Sequence, residues 1–337
     1  MIHKSNIICG SGLALLLTLL GAAGCSKQQA VQEPSAGNFP ADHVIRVSTE
    51  VAPTTKGSYT TDNIAEFDLM VTDVTNSKYS FRNTKFSKIS GKWVPKKTLL
   101  WGGADDEVTI YAIAPCFKDR DKWGTGSFIR PRMMPFEIKA EQHEESNSSD
   151  YLGYILNEKN VKDCLTADGK LKIQFEHMLS LVKITFKLGT EFNNKEVPQS
   201  DIISDVVISG TQRSFYPNPA LNPDKFTVQA ISSASDVKPY FKEWTPAKNK
   251  NGAADKTGNC TSVYECILVP QTVAAGGLKI SFKADGKAYE WTNTSELKFT
   301  QSLQHSLTLK VGKDVVIAEG FSAKEWTETE GGKLYTE

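Results

Sequence analysis

The feature that most constrains this chain is a period of two. In "KLKIQFEH", residues 170–177, Leu171, Ile173 and Phe175 fall on one side, and Lys172 and Gln174 fall on the other. Side chains alternate across the two faces of an extended strand, so this segment is a strand with one apolar face. The pattern recurs at Val182, Ile184, Phe186 and Leu188, at Leu278, Ile280 and Phe282, and at Leu307, Leu309 and Val311. No comparable segment has a helical period. A strand with one apolar face must bury it against another sheet, which predicts an all-β chain of packed sandwiches. Asp168-Gly169 precedes one strand and Asp285-Gly286 joins two, glycine supplying the positive φ of a tight hairpin turn. At "HMLSL", residues 177–181, the inward set shifts by one. That break places a domain boundary there, with one β-sandwich domain over 41–178 and a second over 179–337. "EFNNKEVPQS" and "KEWTPAKNKNGAADKTGN" read as polar loops of the second.

The 337 residues, less the N-terminal leader and tether, suggest two domains of ~150 residues as a soft prior. Each is large enough to hold a core without metal or disulfide support. Lys plus Arg and Asp plus Glu both number 39, so no net field favours nucleic acid or anionic lipid.

The N-terminus carries Lys4 and an apolar run from Gly12 to Leu20, too short for a membrane-spanning helix of ~20 residues. It ends in Ala22, Ala23, Gly24 and Cys25. Residues 1–24 therefore read as an export signal, and Cys25 as the thiol that accepts lipid. The stretch resembles a bacterial lipobox, with Ala22 where Leu is usual; an ordinary secretory signal with an incidental Cys25 is the alternative. Residues 25–40 hold few large apolar groups and form a flexible tether. Cys116, Cys164, Cys260 and Cys266 remain, which allows three disulfide pairings, a small Cys260–Cys266 loop among them, or four buried thiols.

Candidate chemistry is sparse. Asp105, Asp106 and Glu107 lie between a Gly-Gly turn and a strand, where adjacent acids keep a turn solvated; glycoside hydrolysis needs two carboxyl groups held apart across a sugar. His143, Glu144 and Glu145 are consecutive and do not converge readily on one ion. His177 and His305 fall at strand positions without a nucleophile partner, and "AAGGLK" lacks phosphate-loop spacing. Asn147, Asn259 and Asn293 head N-x-Ser/Thr triplets that a bacterial signal makes idle. Trp93, Trp101 and Trp123 could offer a sugar-stacking platform, although at least two of them suit a core. The reading is a non-enzyme with no catalytic residue, metal or cofactor.

Four stretches carry a resemblance: "LLWGGADDEVTIYAIAPC", "IQFEHMLSLVKITFKLG", "ECILVPQTVAAGGLKISF" and the closing "FTQSLQHSLTLKVGKDVVIAEGFSAKEWTE". Within them lie Trp101 with Tyr111 to Pro115, Phe175 with His177, Ser180 and Val182, then Val269 to Thr272, and Trp326. In order and spacing this is similar to the fimbrillin-like family, the minor-fimbria type pilus subunits and tip adhesins of anaerobic Gram-negative bacteria. The resemblance implies two tandem Greek-key, transthyretin-like β-sandwich domains and export through the periplasm as a lipoprotein to the outer membrane and cell surface. It also implies loss or displacement of the first strand, followed by polymerisation with other fimbrial subunits by donor-strand exchange. A host or bacterial surface receptor is a further possible partner. The rival reading is an outer-membrane carbohydrate-binding lipoprotein using exposed aromatic residues.

The strand expected to leave is "DHVIRVSTEVAPTTKGSY", residues 42–59. Ile45, Val47, Thr49 and Val51 alternate with Val44, Arg46, Ser48 and Glu50, so the first set packs inward. Four inserted side chains at ~1.5–3 kcal/mol each would give roughly 6–12 kcal/mol before entropy, an upper bound. Trypsin-like processing is expected after Arg46 or after Lys56, with Lys56 favoured because a cut there frees the entire strand.

Overall fold

The computed structural model describes residues 37–51, 59, 61–116, 135–143, 149–193, 198–217 and 225–325. The first half contributes β1 (Val47–Val51), β2 (Glu66–Asp73), β3 (Phe81–Ile89), β4 (Lys92–Pro95), β5 (Glu107–Ala114), β6 (Phe136–Glu137), β7 (Leu152–Asn160) and β8 (Leu171–His177). All but β6 join in the order β1-β8-β7-β5-β2-β3-β4. The ladders are antiparallel except β1 on β8, which is parallel. Strands β7 and β8 share just the pairs Leu152–His177 and Gly153–Glu176, so the sheet turns a corner there and its two parts close over one core. Phe67 of β2 meets Phe175 of β8 across that core at 5.6 Å and stacks on Phe86 of β3 at 5.1 Å.

The second half contributes β9 (Ser180–Leu188), β10 (Ile203–Gln212), β11 (Ser214–Pro217), β12 (Val228–Ala230), β13 (Ala234–Val237), β14 (Tyr240–Thr245), β15 (Thr261–Leu268), β16 (Gln271–Val273), β17 (Lys279–Ala284), β18 (Lys287–Thr292), β19 (Leu297–Phe299), β20 (Leu303–Val311) and β21 (Val316–Glu325). A five-stranded sheet, β14-β15-β9-β20-β21, and a four-stranded sheet, β13-β10-β17-β18, bury a second apolar cluster. Phe186 of β9 reaches Phe282 of β17 at 4.6 Å. The protein is an all-β chain of packed sheets, as its alternation predicts.

The phase slip at residues 177–181 has a physical cause. Leu171, Ile173 and Phe175 of β8 belong to the first core, whereas Val182, Ile184, Phe186 and Leu188 of β9 belong to the second. Met178 and Leu179 between them are both fully buried, because the chain passes from one core to the other. The cores touch elsewhere too. Met70, Tyr111 and Ile113, on the reverse faces of β2 and β5, join the second cluster. Strand β6 pairs with β11, and Phe136 packs on Tyr151 and Phe215 at 4.8 and 5.4 Å.

Three expectations are corrected. The tether does not run to residue 40: Asn38 Nδ2 donates to the Lys162 and Leu165 carbonyls at 3.1 and 2.8 Å, and Phe39 is buried in the first core. "KEWT", expected in a loop, forms the last four of the six residues of β14; it lies at a sheet edge, where both faces are partly wet and the apolar alternation is diluted. Cys260 and Cys266 cannot close a loop, since both lie along the β15 strand or its entrance and six extended residues span ~20 Å, against the ~5.5 Å a disulfide needs. Cys164, Cys260 and Cys266 are thiols, and burial raises the pKa of Cys164 to about 11.

Candidate assembly edge

The N-terminal segment is held in three ways. First, residues 43–45 pair with 99–101: Ile45 N–H donates to the Leu99 carbonyl at 2.9 Å, and Trp101 N–H to that of His43 at 2.8 Å. Second, β1 then runs parallel to β8 from Val47–Leu171 to Val51–Phe175, and Leu171 N–H donates to the Arg46 carbonyl at 2.8 Å. Third, side chains close the strand's free side, where Trp93 Nε1 donates to Thr49 Oγ1 at 3.0 Å and Val51 N–H to Thr61 Oγ1 at 3.0 Å.

The inward set is less apolar than four buried side chains. Ile45 and Val47 are 1% and 8% exposed, while Thr49 and Val51 are half-buried. Opposite them Arg46 and Glu50 face solvent, Glu50 paired with Lys172 at 2.9 Å. Arg46 is not a bare cation. Its Nη1 and Nη2 donate to Asp42 Oδ1 and Oδ2 at 2.9 and 2.5 Å, and Val44 N–H donates to the same carboxylate. These bonds, the guanidinium's first, hold the Asp42 pKa down at about 2. The Arg46–Val47 peptide therefore sits inside a hydrogen-bonded ladder. A protease, which takes its substrate as a free extended strand, reaches it once β1 has lifted. Cys25 and Lys56 lie outside the described residues.

Elsewhere the candidate chemistry resolves into structure. Lys162 pairs with Asp105 at 2.6 Å, and Asp106 sits against Asp73, whose carboxyl pKa is raised by burial and by the neighbouring acid. His177 and Asp150 form a buried pair with Nδ1 3.0 Å from the carboxylate. His305 Nε2 accepts from Thr300 N–H at 2.8 Å, and burial lowers its pKa. Among the described residues no group of three or more His, Cys, Asp or Glu is placed to hold a metal ion; Glu144 and Glu145 beside His143 lie outside them. Asn259 and Asn293 use their amides on backbone carbonyls at 2.6 to 2.8 Å, and Asn147 is outside the described residues. The tryptophan platform is not assembled from Trp101, which is 1% exposed, or from Trp93, which packs edge-on against Phe67 at 4.8 Å; Trp123 is outside the described residues.

Sequence reasoning missed the Trp93–Thr49 and Val51–Thr61 ties. No local signal announces them, because their partners are 44 and 10 residues apart. The Asp42–Arg46 spacing of four was visible but reads as meaningless for a strand.

This edge belongs to an all-β chain of packed sheets around two apolar cores, and comparison places the chain in a family. The sequence profile of the fimbrillin-like family matches residues 46–326, and the chain belongs to that family. Solved structures share the fold. A proposed cell adhesion protein from Bacteroides ovatus aligns with TM-score 0.59 and 11% identity over 85% of this chain and 99% of that one. Another from Bacteroides uniformis gives 0.55 and 13% over 85% and 100%. A fimbrial protein from Bacteroides vulgatus gives 0.52 and 14% over 84% and 99%. Among curated proteins no sequence matches the chain.

Proposed function

We propose that this fimbrillin-like chain is a shaft subunit or tip adhesin of a cell-surface fimbria, exported as a lipoprotein through Cys25 and assembled by donor-strand exchange once β1 has been removed or displaced. The observation that carries the reading is the placement of β1. Its one backbone ladder within a sheet is the five-residue parallel pairing with β8, and its segment supplies Ile45 and Val47 to the first core. Its departure exposes the backbone groups of β8 and an apolar slot, and an incoming strand from another subunit satisfies both. Two buried side chains at ~1.5–3 kcal/mol each give roughly 3–6 kcal/mol before entropy, half the four-residue figure. A subunit that offers its groove to one neighbour and a strand to another makes a head-to-tail contact that propagates. The two domains, 41–178 and 179–337, would then differ in role, the first holding the groove.

Mass spectrometry of the N-terminus in surface filaments tests this. A start at Gly57 identifies a groove opened by loss of β1, a start at Val47 leaves β1 on the chain and requires its displacement instead, and a start at lipidated Cys25 refutes strand removal. Metabolic fatty-acid labelling that persists in Cys25→Ser refutes the anchor.

A further inference from the structure

The β3–β4 hairpin and its flanking turns, residues 77–97, read "SKYSFRNTKFSKISGKWVPKK": seven Lys and Arg and no Asp or Glu, in a chain whose charges cancel overall. The register shows how they are arrayed. On the face turned away from the first core, Lys96 lies beside Lys85, its N–H donating to the Lys85 carbonyl at 2.9 Å. Next come Ser87 opposite Val94 and Ile89 opposite Lys92. Ile89, Lys92, Val94 and Lys96 are exposed, the two apolar residues at 57% and 43%. On the other side Lys88 stands over the Trp93 ring at 6.0 Å, Lys97 over Phe81 at 5.9 Å and Lys78 over Tyr79 at 5.8 Å, which positions each ammonium while leaving it charged.

Like charges directly opposite one another weaken a strand pair, and of the Lys85–Lys96 pair Lys85 is ion-paired, to Glu66. Guarding an edge strand against stray pairing needs a lysine on β4, which Lys92 supplies. It does not account for cations on β3 and in both turns. An anionic ligand does, since it converts the crowding into attraction.

We propose that this hairpin binds a linear sulfated polysaccharide. Same-face side chains repeat every ~6.6 Å along a strand, so Lys92 of β4 and Lys96 just past its end flank the exposed Val94, with Ile89 across from Lys92 and Lys85 across from Lys96, a layout that meets sulfate groups and the CH faces of sugar rings together. Six of the seven cations are lysine. Nucleic-acid phosphate is the favoured target of arginine's planar fork, whereas lysine acts as a hydrated point charge that needs no bidentate geometry.

The test uses the purified full-length chain and heparin as probe across a salt series, with Lys92→Gln/Lys96→Gln/Lys97→Gln against a control of equal charge change, Lys250→Gln/Lys298→Gln/Lys310→Gln. Wild type and control are expected to bind heparin and not its desulfated form, with the hairpin variant at least tenfold weaker and its affinity less salt-dependent. No heparin binding by wild type at low salt overturns the proposal, and this result stands even where a variant misfolds. Equal losses in both variants overturn it too. So does binding of a 20-base-pair duplex or of phosphatidylglycerol vesicles as tight as that of heparin.

Discussion

The indole N–H of Trp93 donates to the Thr49 hydroxyl at 3.0 Å, joining β4 to β1, the last and first strands of the seven-strand order. No backbone ladder is assigned between these two strands, so a side-chain bond closes the mouth of the first sandwich. The strand proposed to leave is thus latched on one side by two neutral hydrogen bonds, Trp93–Thr49 and Val51–Thr61, and on the other by five residue pairs with β8.

Trp93→Phe should open that latch. The phenyl ring keeps contact with Phe67 and loses the donor, costing ~1 kcal/mol, a factor of about five in the population with β1 lifted. Trypsin should then cut after Arg46 about fivefold faster, read by intact mass over a time course. An unchanged rate with an otherwise intact fold would show that the latch does not hold β1.

Asp42 gives the same segment a pH dependence. Its pKa is held at about 2 in the fold and reverts to the ordinary 3.8 when the segment detaches. A depressed carboxylate pKa stabilises fully above the unfolded value and loses that contribution as pH falls from about 4 towards 2. Both partners are about half exposed, so the gain stays below ~1 kcal/mol and shrinks with salt. The Asp42 carboxyl should titrate near 2 by carbon NMR, and Asp42→Asn should abolish the acid-induced loosening of the Val44–Val47 amides. Titration near 3.8 would refute the pairing.

The strands were legible because their alternation is strict. In β8 every odd residue from Leu171 to His177 is buried and every even one exposed. The phase slip at Met178 and Leu179 was legible as a break, since two buried residues in succession violate a period of two. What stayed hidden depends on distant partners. β14 was lost because an edge strand wets both faces, and β6 because two residues carry no period. The parallel pairing of β1 with β8 could not be read at all, because either strand direction places Ile45 and Val47 inward.

Trp101 separates core from platform. Its side chain is buried against the first cluster and its Nε1 has no hydrogen-bond partner, so it contributes volume alone. Trp101→Ala should destabilise by ~3–5 kcal/mol, and Trp101→Phe by much less. Urea unfolding measures both. A Trp101→Ala protein of wild-type stability that has lost glycan binding would restore the platform reading.

Gln142 tests how the two halves are joined. Its side chain is buried and acts as a short strand of its own: Nε2 donates to the Ile267 carbonyl at 2.9 Å, and Ile267 N–H donates to Oε1 at 2.8 Å. The pair continues the outer side of β15 beyond Tyr240–Glu265, where the β14 ladder stops. Gln142→Ala leaves a buried N–H and a buried C=O without partners, which should cost ~2–4 kcal/mol. Gln142→Glu discriminates further. The ionised carboxylate accepts from Ile267 N–H but faces its carbonyl oxygen, and burial raises its pKa above the ordinary ~4.3. A raised carboxyl pKa destabilises at high pH and relaxes as pH falls through it, when the protonated group can donate to the carbonyl as the amide does. The Glu variant should therefore lie closer to wild type at pH 4 than at pH 8 in urea unfolding. Equal deficits at both pH values, or an alanine variant within ~0.5 kcal/mol of wild type, would mean that the clamp does not couple the halves.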